Sequence, residues 1–214
     1  MDLVLLGHIT SVVLIDYFAV VVGVVMGALF AVKRNLDVIG AIVMALLTGF
    51  GGGVIRDTLL HDQGFFFMQH PYLVICCIGA AALVFFGASR LEKLDASLLV
   101  ADALSVALFA LAGVAKAWAA GVGPVYSVLL GTITAVGGGA LASIAIAETP
   151  RIFKSSDYYA IAGGCGALAY CLCAMAQAPE LICSLACVAT CLALRAASLK
   201  LDLRTRSAND VPKH

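Results

Sequence analysis

Charge is scarce in this sequence. Charged residues make up 12% of its 214 positions, about half the share of an average soluble domain. Neither sign dominates, because 13 basic and 13 acidic residues cancel. Nothing in the balance attracts a polyanion, so nucleic acid is not an expected partner. Histidine is also sparse. His8, His61, His70 and His214 sit at ends or in loops and show no metal-ligand spacing. No phosphate-binding loop, dinucleotide fingerprint or GxSxG elbow is present. The N-terminal stretch lacks the basic n-region of a signal peptide, and Asp16 interrupts its apolar run. These absences exclude disorder, a basic nucleic-acid binder and an ordinary cytosolic enzyme. No catalytic constellation can be assembled.

What is abundant is apolar. Hydrophobic residues make up 63% of the chain, and mean hydropathy is +1.06. Glycine, at 21 residues, exceeds the usual share of about 7%. A transmembrane helix needs roughly 20 mostly apolar residues. Seven such runs occur, at about 12–32, 38–60, 72–88, 98–118, 122–147, 158–176 and 181–199. They are too long and continuous for the alternating strands of a membrane barrel. The expected fold is an all-α polytopic membrane protein with one transmembrane unit over 1–200. The polar stretch 201–214 forms a C-terminal tail expected to be disordered.

Basic residues sort by loop. Lys33 and Arg34 follow span one, Arg90 and Lys93 span three, and Arg151 and Lys154 span five, while Arg195, Lys200, Arg204, Arg206 and Lys213 end the chain. The loops after spans two, four and six have none. The positive-inside rule then puts the N-terminus outside and the C-terminus in the cytoplasm.

An internal repeat runs through the chain at one offset. Asp16 and Asp102 are 86 residues apart, as are Gly27 and Gly113, Ala31 and Ala117, and Thr48 and Thr134. The same offset joins Gly51-Gly52-Gly53 to Gly137-Gly138-Gly139, and Phe67, Tyr72 and Ile75 to Phe153, Tyr158 and Ile161. Repeat one covers about 12–90 and repeat two about 98–176, with a seventh helix at 181–199. Three spans per copy make the second copy enter from the opposite face. This inverted arrangement is common in transporters, where the path lies at the repeat interface. It also occurs in channels.

Both glycine triplets fall within long apolar spans. Three successive glycines weaken a helix by roughly 1 kcal/mol each relative to alanine. One reading is a kinked or broken helix that lines a pore with free carbonyls. The other is close packing of small residues, since Gly23 and Gly27, and Gly49 and Gly53, also have four-residue spacing. The symmetric placement favours the pore.

Ionisable groups inside spans cost about 2.5–3.5 kcal/mol on insertion scales and usually face a cavity or a partner. They are Asp16, Arg56, Asp57, Asp102, Lys116 and, near an end, Glu148. Adjacent residues point apart on a helix, so Arg56 is expected to pair with an aspartate on another helix rather than with Asp57. Lys116, whose equivalent is Phe30, either snorkels to the interface or faces the pore. Acids outnumber bases in this set, which would favour cations weakly. Thr48, Thr134 and Ser143 flank the triplets; their hydroxyls could line a constriction or bond back to their own helix. Phe65, Phe66, Phe67 and Trp118 fit an interfacial aromatic belt. The eight cysteines all lie in or beside apolar runs, and Cys183, Cys187 and Cys191 share one helix face. They read as packing residues, with no disulfide framework implied.

These residues resemble the trimeric intracellular cation (TRIC) channel family and its bacterial and archaeal members. The first copy carries Asp16, Gly23 and Gly27, then Lys33-Arg34-Asn35-Leu36-Asp37, then Gly51-Gly52-Gly53-Val54-Ile55-Arg56-Asp57, similar to a GGGxxRD signature. The second carries Asp102, Gly113-Val114-Ala115-Lys116-Ala117, the second triplet, and Glu148-Thr149-Pro150-Arg151-Ile152-Phe153. The resemblance implies seven helices in a 3+3+1 inverted repeat and a homotrimer in membrane lipid. It also implies one pore per subunit, kinked at both triplets and conducting monovalent cations, mainly potassium. The family's gating base falls on Lys116. No cofactor is implied beyond a permeant K+ or Na+. Bacterial relatives often repeat GGGxxRD in the second half. Here Ala142 and Ser143 replace that Arg and Asp, so the first copy alone is expected to carry the charged element. The short termini fit a prokaryotic plasma-membrane protein. The alternative function is a secondary transporter of a small solute such as an amino acid.

Overall fold

The computed structural model describes residues 3–61, 64–88, 94–154 and 158–201, with side chains from 13 onward. The chain is an all-helical polytopic membrane protein. Its helices are α1 (Leu3–Lys33), α2 (Val38–Leu60), α3 (Phe66–Gln69), α4 (Pro71–Ala88), α5 (Leu94–Ala119), α6 (Pro124–Ala145), α7 (Tyr159–Met175) and α8 (Glu180–Lys200). A 3-10 turn at Arg151–Phe153 follows α6. Among the described residues, six helices are long and apolar enough to cross a membrane. The seventh expected span is α7, whose 17 residues stand at the lower limit of roughly 17–25 for crossing. The single turn α3 was not expected. Arg90, Lys93, Arg204, Arg206, Lys213 and the tail beyond 201 lie outside the described residues.

The helix ends follow local chemistry. Asp37 caps α2 by accepting from the Gly40 backbone N–H at 2.7 Å, which satisfies one of the donors a helix start leaves open. Pro124 begins α6, where its missing N–H costs nothing. The turns echo the 86-residue offset. Asn35 and its equivalent Gly121 both take positive φ (55° and 72°), and so do His61 and Ala147 (both 56°). Left-handed backbone is rare outside glycine, and these turns take it at matched positions.

Packing uses glycine rather than bulk. A Cβ placed on Gly27 would lie 2.5 Å from the Met44 carbonyl oxygen, and one on Gly113 would lie 2.8 Å from the Gly131 Cα. Those contacts press α1 onto α2 and α5 onto α6. The two halves meet where α2 crosses α6. A Cβ on Gly52 would come within 2.3 Å of the Thr134 carbonyl oxygen, and one on Gly138 within 2.5 Å of that of Thr48. Without a driving force for helices to leave lipid, such backbone approach supplies the van der Waals contact that holds them. On the far side, α8 packs on α7. Cys183, Cys187 and Cys191 are buried there, with the Cys187 carbonyl over Gly166.

Both triplets run through unbroken helix. The expected break with free carbonyls is therefore absent from α2 and α6. The glycines bring α2 and α6 into backbone contact at the crossing.

Candidate permeation pathway

Two polar sites flank the crossing, and they are built from repeat-equivalent positions. In the first, Arg56 on α2 reaches across to α1. Its Nη1 donates to Asp16 Oδ1 at 2.6 Å and its Nη2 to Asp16 Oδ2 at 3.0 Å. This fork-on-carboxylate geometry is the strongest form of the pair. The Arg56 Nε also donates to Asp57 Oδ1 at 2.8 Å. The expectation that Arg56 would avoid its neighbour is thus half right. The side chain is long enough for its fork to meet Asp16 while its Nε folds back.

Asp57 is shared further. Lys116 on α5 donates to its Oδ1 at 2.9 Å, and the Phe66 backbone N–H to its Oδ2 at 3.0 Å. Lys116 therefore turns inward to a carboxylate instead of snorkelling. Phe66 is not part of an interfacial belt; it is buried, packed edge-on against Tyr17 at 5.4 Å, and closes over the cluster. Two acids and two bases balance here. The cavity that Asp16, Arg56 and Asp57 border, with Gly53 and Phe67, is about 10 Å³, roughly the least that holds one water.

The second site lies at Asp102, Gly139, Ala142, Ser143 and Ile152, the equivalents of Asp16, Gly53, Arg56, Asp57 and Phe66. With Arg and Asp replaced by Ala and Ser, the space is open. A cavity of about 610 Å³ is lined by these residues together with Phe30, Thr48, Arg151 and Tyr159, and by Lys33, Arg34, Glu148 and Lys154. Arg34 pairs with Glu148 at 2.5 Å, and Lys33 with Asp95 at 2.7 Å.

The charged element is not confined to the first copy. Asp102 Oδ2 accepts from Arg195 on α8 at 2.7 Å and from Arg151 at 3.0 Å. Both guanidinium groups also stack toward the Tyr159 ring, at 5.3 and 5.4 Å. Arg195 is 0% exposed, so it does not belong with the surface bases that end the chain. The expected surplus of acid within the spans also disappears. Asp16, Asp57, Asp102 and Glu148 each hold a cationic partner.

The remaining expected site residues divide by surroundings. Gly139 and Ser143 line the large cavity, and Thr48 reaches it from the crossing. The Thr48 hydroxyl donates within 2.8 Å of the Gly23 and Met44 carbonyls, and Ser143 to Gly139 at 2.9 Å. Thr134 bonds back to Leu130 at 2.6 Å and faces Gly113, away from both cavities. Gly51, Gly52, Gly137 and Gly138 are packing contacts between α2 and α6, whereas Gly53 and Gly139 border the cavities.

Comparison with known proteins follows the same lines. A family model described as glycine transporter matches residues 13–88 and 99–175. A membrane protein of Deinococcus radiodurans is 33% identical over 155 residues, covering 72% of each chain. The inner membrane protein YadS of Escherichia coli is 32% identical over 145 residues, covering 67% of this chain and 70% of its own. The crystal structure of a TRIC trimeric intracellular cation channel orthologue from Rhodobacter sphaeroides superposes with a TM-score of 0.84 at 34% identity. That match covers 91% of this chain and all (100%) of the other. The chain belongs to the family that the glycine-transporter model describes and, with it, to the prokaryotic TRIC proteins.

Proposed function

We propose that the chain is a cation channel whose path runs between its two halves, along the α2–α6 crossing. The observation that carries this reading is the pair of equivalent polar sites on either side of the crossing, one wide at about 610 Å³ and one constricted to about 10 Å³. A continuous path would form if the sealed side rearranged. The 34% identity to a protein titled as a cation channel supports the choice of function. The two halves form an inverted repeat with a pseudo-twofold axis in the membrane plane, and three copies assemble, each with its own pore. Potassium is the main permeant ion. With basic loops inside, the open cavity faces the cytoplasm of a prokaryotic plasma membrane and the N-terminus lies outside.

Each residue then has a task. Gly53, Gly139, Thr48 and Ser143 line the path at the two ends of the crossing, where the Thr48 and Ser143 hydroxyl oxygens partly replace water around the ion. Arg56 and Lys116 hold Asp16 and Asp57 in the seal. Lys116, at its edge, is the base whose release from Asp57 would open the outer side.

A second reading has a specific observation behind it. A cavity open to one side and sealed on the other is also the resting form of an alternating-access carrier, and the matching family model carries the description glycine transporter. Proteoliposomes separate the two. A channel dissipates a potassium gradient without any counter-solute, and glycine on either side does not alter the rate. Saturable glycine exchange with no potassium leak would replace the channel reading by the carrier.

A further inference from the structure

The two aspartates at equivalent positions keep an arginine partner in different ways. Asp16 takes its fork from Arg56 on α2, within its own half. The matching position on α6 is Ala142, which leaves Asp102 without that partner. Arg195 fills the gap from α8, outside the repeat, at 2.7 Å with the guanidinium fully buried. The replacement is not equivalent in geometry. Asp102 receives Arg195 and Arg151 on the same oxygen, Oδ2, while its buried Oδ1 has no hydrogen-bond partner among the described residues.

We propose that Arg195 is a positioning residue of the permeation path: it substitutes for the arginine missing from α6, holds Asp102 in the cavity wall and sets the charge that an entering ion meets. The eighth helix thereby supplies a partner to the cavity wall from behind, in addition to packing on α7. Two consequences follow from where the charge comes from. Because no side chain from α6 has to reach Asp102, the space at Ala142 and Ser143 stays open and the vestibule exists. And because Asp102 is bound end-on, with one oxygen unsatisfied, its negative charge is masked by Arg195 from behind and Arg151 from the cavity side rather than locked in a planar fork.

This rests on the channel reading for its electrical test but not for its structural one. Unit charges about 10 Å apart in water interact weakly, enough for about a two-fold change in local cation occupancy. Single-channel recording at low salt, with potassium on the vestibule side, is expected to show R195Q conducting about two-fold more and D102N less. R195K, which keeps the charge, should restore most of the difference, and all effects should shrink in 1 M salt. A folded R195Q of unchanged conductance, or R195Q and D102N moving it in the same direction, would overturn the proposal. If the wild type gives no unitary currents, the channel reading fails, and thermal unfolding of the purified protein still decides the pairing. R195Q should unfold at a lower temperature than wild type, and D102N/R195Q should recover part of the loss. Additive losses would reject the pair.

Discussion

Replacing Arg56 by glutamine is the sharpest perturbation of the sealed site. The change removes two bonds to Asp16 and one to Asp57, and leaves a nearly buried carboxylate on α1 without its arginine. Removing one member of a buried ion pair typically costs about 3–5 kcal/mol, because the survivor keeps its desolvation penalty. Asp57 retains Lys116 and the Phe66 N–H, so the loss should come mainly from Asp16. For a chain of this length, each kcal/mol corresponds to about 2–4 °C in the unfolding midpoint, giving a drop of about 6–20 °C for R56Q. The control is D16N/R56Q, in which no unpaired charge remains and most of the midpoint should return. The assay is thermal unfolding in one detergent, followed by tryptophan fluorescence or loss of monodispersity. A midpoint for R56Q within 2 °C of wild type, or a double variant no better than R56Q, would refute the reasoning about the pair.

Three further outcomes follow from the geometry. G52A and G138A put a methyl group 2.3 and 2.5 Å from backbone carbonyls, so each should lose stability by about 1–3 kcal/mol or more. G79A, with nothing within 4 Å, should change it little or raise it slightly when melted in parallel. E148Q breaks a pair whose side chains are 39% and 32% exposed and should cost less than about 1 kcal/mol, a difference that a double-mutant cycle with R34Q can resolve. K116Q removes one of Asp57's two cationic partners. It should raise open probability in bilayer recordings, and identical gating would remove Lys116 from the seal.

Long apolar runs expose the helices because lipid leaves the backbone no alternative partner. The 86-residue offset pairs Asp16 with Asp102 and one triplet with the other, and the structure sets these as equivalent walls and a shared crossing. What stays hidden is side-chain reach. Arg195 ends an apolar span, where a base usually snorkels outward; only tertiary placement turns it inward to Asp102. Its signal is faint: a base lying four residues after Cys191 on the buried cysteine face. Arg56 meets both aspartates because a long side chain is not bound by the angle between adjacent helix positions. Phe66 looks interfacial until the single turn α3 directs its N–H to Asp57. The triplets hold two readings that composition cannot separate. Backbone contact packs four of the glycines between α2 and α6 and leaves Gly53 and Gly139 beside the cavities.

The cation-channel reading stands or falls on planar-bilayer recording of the purified wild-type protein under a potassium gradient. Discrete unitary currents that reverse near the potassium equilibrium potential are expected. A silent bilayer, alongside stoichiometric solute exchange in liposomes made from the same preparation, would contradict it.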